Sequence, residues 1–97
     1  IVPQTGGVRP MTRRLRVLYF AWLREKTGTR MQEIDLPADI TTPRALAMHL
    51  ASLSAGHKAA FENLARIKLA INQQHAGLDD PLTDAHEIAF FPPVTGG

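Results

Sequence analysis

Ninety-seven residues leave room for one domain and one core. Hydrophobic residues at 44%, charged residues at 21% and seven each of glycine and proline describe an ordinary globular chain and exclude disordered, collagenous and coiled-coil classes. The net charge of +2 hides an asymmetry. Residues 1–30 carry seven basic groups and one acidic, whereas residues 31–97 carry four basic and eight acidic, so the two parts suit different partners.

The longest apolar run, Val17 to Leu23, is far shorter than the roughly 20 residues a membrane helix requires, so no spanning segment is expected. Residues 1–10 lack the apolar stretch of a signal peptide and precede Met11. They are expected to be an extension outside the fold, disordered or cloning-derived. The absence of cysteine removes disulfides, thiolate metal sites and a cysteine nucleophile, and fits a reducing cytoplasm.

The first strand is expected from Leu15, with Leu15, Val17 and Tyr19 on one face and Leu18 and Phe20 on the other. Apolar residues on both faces predict a central position. Ala21 to Thr29 predicts a helical turn or loop ending near Gly28. Arg30 to Leu36 alternates again, Ile34 and Leu36 against Glu33 and Asp35, and predicts a second strand antiparallel to the first. Thr42 followed by Pro43 reads as an N-cap and first helical residue. Leu46, Leu50 and Leu53 line one face of the ensuing helix, and Gly56 is the expected stop. A short helix over Lys58 to Ala65, a strand over Ile67 to Ile71, a turn over Asn72 to Gly77 and an edge segment at Pro81–Leu82 follow. Glu87 to Phe91 is the last strand, ended by Pro92 and Pro93. Two strands, a helix and further strands predict an α+β domain over residues 11–91: a mixed sheet with one main helix packed across it, for which a β-grasp, or ubiquitin-like, roll is the simplest topology.

The chain closes on Phe91-Pro92-Pro93-Val94-Thr95-Gly96-Gly97. Two prolines stiffen the exit from the sheet, so residues 92–97 are expected to protrude. Without Cβ atoms, Gly96 and Gly97 suit a narrow channel in which a partner approaches the backbone closely. A diglycine terminus taken alone is weak, since many chain ends are simply frayed.

Together, the run from Phe91 to Gly97, the segment from Val17 to Gly28 with its Phe-Ala-x-Leu-Arg-Glu-x-Thr-Gly pattern, and the pair Ile71-Asn72 resemble the MoaD/ThiS family of ubiquitin-like sulfur carriers, in particular the branch serving molybdopterin synthase. The resemblance spans Leu15 to Gly97. Thr95 stands where that branch usually has serine, and Asp84-Ala85-His86-Glu87-Ile88 where it commonly has a Gly-Asp-Glu-Val turn.

What the resemblance implies is a role in molybdenum cofactor biosynthesis. An adenylating enzyme of the ubiquitin-activating (MoeB) type uses ATP to form an acyl-adenylate on Gly97, and a sulfur donor converts it to a thiocarboxylate. The carrier then docks on the large (MoaE-type) subunit of molybdopterin synthase, as a heterotetramer, and its tail donates sulfur to cyclic pyranopterin monophosphate. Gly97 is the acceptor, Gly96 its steric companion, and Phe91, Pro92, Pro93, Val94 and Thr95 bind the partner. The carrier itself is expected to be non-catalytic and to hold no cofactor, and neither nucleic acid nor membrane is an expected partner. A carboxylate is a poor electrophile and adenylation gives it a leaving group, so a cysteine-free chain can carry covalent sulfur at its carboxyl carbon.

Three other readings stand beside this one. A thiamine-pathway carrier or a ubiquitin-like modifier shares the diglycine, and a basic interaction module would use residues 13–30 in a salt-sensitive manner indifferent to the tail. His49, His57, His75 and His86 lie 8, 18 and 11 residues apart, outside the usual metal-ligand spacings. Asp79, Asp80 and Asp84 read as a solvated turn without the closing glutamate of a calcium loop. Arg13-Arg14-Leu15-Arg16 reads as strand-flanking charge. Alternation assigns Phe90 to the core and Phe91 to docking, while Trp22 suits either role.

Overall fold

In a computed structural model of the protein, residues 12–93 are described. The expected extension over 1–10 and tail residues Val94, Thr95, Gly96 and Gly97 lie outside them. The elements in chain order are β1 (Thr12–Tyr19), α1 (Trp22–Thr27), β2 (Met31–Pro37), α2 (Pro43–Ala51), α3 (Ala55–Ala60), a 3-10 turn (Leu64–Arg66), β3 (Lys68–Ile71), β4 (Gln74–Ala76) and β5 (Glu87–Phe91). The five strands make one mixed sheet in the order β2-β1-β5-β3-β4. β1 and β5 run parallel, and the other neighbours are antiparallel. This is the expected β-grasp arrangement, with β5 at the centre.

Strand alternation divides the sheet into a covered and an open face. Leu15, Val17, Tyr19, Leu36, Leu69, Ile88 and Phe90 are buried beneath the helices with Leu23, Leu46, Leu50, Ala60 and Phe61. Phe90 packs edge-on to Phe61 at 4.9 Å between ring centroids and stacks near Tyr19 at 6.4 Å, so the core beneath the tail's exit is aromatic. Phe90 is therefore core, as alternation predicts.

Helix α1 is the expected helical turn, and Gly28 at φ 81° closes it by donating its N–H to the Arg24 carbonyl. Helix α2 starts as expected: the Thr42 hydroxyl accepts from Ala45 N–H, with Pro43 in the first turn. Its end differs from expectation. α2 stops at Ala51 because the Ser52 hydroxyl donates to the His49 carbonyl at 2.6 Å, while the Ser54 hydroxyl accepts from His57 N–H and opens α3. Leu53 falls in this break and is 45% exposed instead of facing the core.

Gly56, expected to stop α2, lies inside α3. A Cβ there would sit 2.1 Å from the Lys26 carbonyl oxygen, so glycine lets α3 press against the α1 backbone. The helix expected over Lys58 to Ala65 is thus displaced to Ala55–Ala60 and followed by a separate 3-10 turn.

Three further expectations are corrected. β1 begins at Thr12 rather than Leu15, since Arg13 and Arg14 pair across to Leu36 and Asp35. The turn expected over 72–77 is only Asn72–Gln73, both at positive φ (51° and 70°), a geometry that matches the twist of a two-residue hairpin and is followed by edge strand β4. Pro81–Leu82 forms no strand. Instead Leu82 is buried, its N–H donates to the Thr41 carbonyl at 2.9 Å, and its carbonyl accepts from the Arg13 guanidinium.

Candidate functional site

The segment that resembles a carrier tail leaves the body from β5, whose neighbours are β1 on one side and β3 on the other. Tyr19 lies opposite Phe90, Lys68 opposite Phe91, and Phe20 N–H donates to the Phe90 carbonyl at 3.1 Å. The strand is hydrogen-bonded along both edges almost to its last residue, and Pro92 follows immediately. Pairing on both sides sets the exit direction, and two fixed proline φ angles carry it outward.

The start of β5 is held by Asn72. Its side-chain oxygen accepts from the backbone N–H groups of His86 and Glu87 at 2.8 and 3.1 Å, and its amide donates to the Asp84 carbonyl at 3.0 Å. Asparagine suits both this clamp and the positive φ of the turn. The departure from the Gly-Asp-Glu-Val turn at 84–88 is accommodated in this way.

Phe91 projects from the open face, half-buried, and meets the His75 ring edge-on at 5.7 Å. Pro92 and Pro93 are partly exposed beside it. Register places Leu18, Met31, Ala70 and Ala89 on the same face, with Phe20 where β1 ends. Among the described residues no helix covers this face. Phe20 is 48% and Met31 43% exposed. Charges surround the apolar strip: Arg14 pairs with Asp35 at 3.0 Å and with Glu33 at 3.5 Å, and Arg16 approaches Glu87 at 3.8 Å. An apolar centre with a polar rim is the anatomy of a docking surface.

Trp22 takes a position between its two sequence readings, packed against the edge of the core with the Arg66 guanidinium 5.7 Å from its ring centroid. Among the described residues no cluster of three or more potential metal ligands occurs. Asp79 forms a two-point ion pair with Arg44 at 2.9 and 3.0 Å, which holds its carboxyl below the usual carboxylate range. The acidic loop is thereby tied to α2. Arg13 reaches loop carbonyls and Arg14 and Arg16 reach carboxylates, so the basic run expected to flank a strand lies inside β1 as paired charge.

The sequence alone left one polar feature unread. Behind Phe90, a hydrogen-bonded chain joins β1, β2 and α3: Tyr19 hydroxyl to Gln32 Oε1 at 2.8 Å, His57 Nε2 to the same oxygen at 2.8 Å, and Ser54 hydroxyl to His57 Nδ1 at 2.8 Å. A carbonyl oxygen only accepts, so His57 carries its proton on Nε2 and Nδ1 accepts from Ser54. Burial pushes the His57 pKa down and the Tyr19 pKa up. Both groups are uncharged at neutral pH. The one local signal was Ser54 three residues before His57.

Comparison with known proteins places the chain. The ThiS family model matches residues 17–97. The molybdopterin synthase sulfur carrier subunit of Escherichia coli is 45% identical over 83 residues, covering 86% of this chain and 99% of that protein. Its counterpart in Haemophilus influenzae is 41% identical over the same share of each chain. Among solved structures, SAMP1 from Haloferax volcanii superposes with a TM-score of 0.61 at 28% identity, covering 88% of this chain and 100% of that one. The matched span runs from β1 through β5 to residue 97, and the chain belongs to the ThiS family.

Proposed function

We propose that this chain is the sulfur carrier subunit of a molybdopterin synthase and acts as the tethered sulfur donor of that enzyme. The observation that carries the proposal is the Phe91–Gly97 run issuing from the central strand, in a chain 45% identical to a protein named for this role. The Gly97 carboxylate attacks the α-phosphorus of ATP in an adenylating enzyme of the MoeB type, pyrophosphate leaves, and an acyl-adenylate results. A sulfur nucleophile from a donor then displaces AMP and leaves a thiocarboxylate. Adenylate formation supplies the leaving group that the carboxylate lacks.

The carrier next docks on the large, MoaE-type subunit within a heterotetramer. Its tail extends into that subunit's active site and transfers sulfur to cyclic pyranopterin monophosphate. Catalytic groups for these steps belong to the partners. What this chain contributes is position: a fixed launch point, a stiff Pro92–Pro93 segment, Val94 and Thr95 as channel contacts, and a terminus slim enough at Gly96 and Gly97 to enter. The open face around Leu18, Ala89 and Phe91 is the docking surface, with Phe91 joining it to the tail. No described helix is long and apolar enough to cross a membrane. Cysteine-free composition suits a reducing cytoplasm, where this chemistry is placed.

The protein-modifier alternative is supported by the likeness to the archaeal SAMP1 structure, at 28% identity against 45% for the synthase carrier. Deleting Gly96 and Gly97 tests the proposal. The truncated chain is expected to melt like the full-length protein and still bind the large subunit, while synthase activity disappears. Retained activity would overturn the assignment.

A further inference from the structure

The hydrogen-bonded chain behind Phe90 ends at the surface. Its last member, Ser54, is exposed, whereas His57 is buried. With Nε2–H held by the Gln32 side-chain oxygen, His57 presents a bare Nδ1 to the Ser54 hydroxyl, each contact at 2.8 Å. Gln32 is fixed in turn by the Tyr19 hydroxyl. The Ser54 oxygen accepts one further bond, from His57 N–H at 3.1 Å, which leaves it one lone pair. A hydroxyl bonded to a neutral imidazole, whose other nitrogen is oriented by an acceptor, is the arrangement that activates a serine nucleophile. Ser52 supplies the contrast: it is exposed as well, yet its hydroxyl donates to the His49 carbonyl, which is no base. Capping of α3 requires from Ser54 only the bond to His57 N–H, so the fixed imidazole is an addition to the cap.

We propose that Ser54 is an acylation site, a hydroxyl that captures activated carboxyl groups of the acyl-adenylate or aryl-ester class, with His57 as general base and Gln32 as its positioning residue. The capture is stoichiometric and does not depend on the carrier function. In the step, the Ser54 oxygen bonds to the acyl carbon while its proton passes to His57 Nδ1. The bond from that carbon to the leaving oxygen breaks, and its electron pair departs with the leaving group. The imidazolium, still bonded through Nε2–H to Gln32, then gives its proton to solvent, and an ester remains on Ser54. The groups against His57 are Gln32 from β2 and Tyr19 from β1, whose ring lies edge-on at 5.8 Å, and both are uncharged. Burial alone lowers the imidazole pKa, with no charged side chain adding to it, so the base is free of a proton at neutral pH.

The experiment incubates the full-length chain with p-nitrophenyl acetate and locates acetyl groups by peptide fragmentation, before and after alkaline hydroxylamine, which cleaves esters and spares lysine amides. Ser52 and Ser54 are the only serines in the chain, so the parent carries its own control. Ester is expected to form at Ser54 at least tenfold faster than at Ser52. Its rate should rise with pH to a plateau, with a midpoint below 6.5. His57→Gln leaves Ser54 in place and should slow the reaction at least tenfold. Gln32→Met should slow it too, whereas Gln32→Glu, whose carboxylate keeps the bond to Nε2–H and favours imidazolium, should retain it and move the midpoint upward. Melting transitions of all variants are compared with the parent's at the assay pH. Equal rates at Ser52 and Ser54, or a folded His57→Gln variant that reacts like the parent, would overturn the acylation site. An unmoved midpoint in Gln32→Glu would overturn the role of Gln32.

Discussion

Gly56 shows how one missing methyl group sets the spacing of two helices. With the Lys26 carbonyl oxygen 2.1 Å from where a Cβ would stand, Gly56→Ala must separate α3 from α1. The expected cost is about 1–3 kcal/mol, read as a lower urea midpoint, despite alanine's better helix propensity. An unchanged midpoint would show that the contact yields freely. His57 makes a different prediction. Its pKa in the fold is lowered from 6.5 by burial, so the unfolded chain binds the proton more readily. Stability is therefore full above pH 6.5 and falls as the pH drops below it, down to the lowered pKa of the folded state. Melting temperatures across this window should decline in the parent and decline less in His57→Gln. Asp79 acts separately, since its lowered pKa places any loss below pH 3.8.

At the scale of elements, β5 sets adjacent residues on opposite faces of the sheet. Phe90 is fully buried under α3, and Phe90→Ala should cost about 3–5 kcal/mol of stability. Phe91 faces outward, and Phe91→Ser should cost about 1 kcal/mol or less in denaturant while weakening binding to the large subunit. Equal destabilisation by both changes would contradict the division of faces. This alternation was legible in the sequence, as were β1, β2 and the Thr42–Pro43 start of α2, because period-2 and capping signals are local. The end of α2 was not. Two serine hydroxyls decide it, and Gly56, which looks like a stop, is needed for a contact with a helix thirty residues away. β4 was missed because three residues, Gln74 to Ala76, are too few and too polar to show a period.

Across the whole molecule, the fold presents a covered face that stabilises it and an open face that continues into the tail. The motif on which the proposed function rests was readable because it lies in one continuous stretch, Phe91 to Gly97. The basic stretch over residues 13–30 was legible as a candidate interaction surface, but the meeting of Arg16, Arg24 and Arg30 around one cleft was not, since β1, α1 and the entry to β2 bring them together only in space. Nor was the chain from Tyr19 through Gln32 and His57 to Ser54, which spans three elements. Neither feature alters the central claim, that the chain is a scaffold for delivering one carboxyl group. The most direct test is the intact mass of the full-length chain and of a chain lacking Gly97, each incubated with ATP, a MoeB-type adenylating enzyme and a sulfur donor. The account predicts a single oxygen-to-sulfur mass gain in the full-length chain alone. No gain in the full-length chain, or the same gain in both, would contradict it.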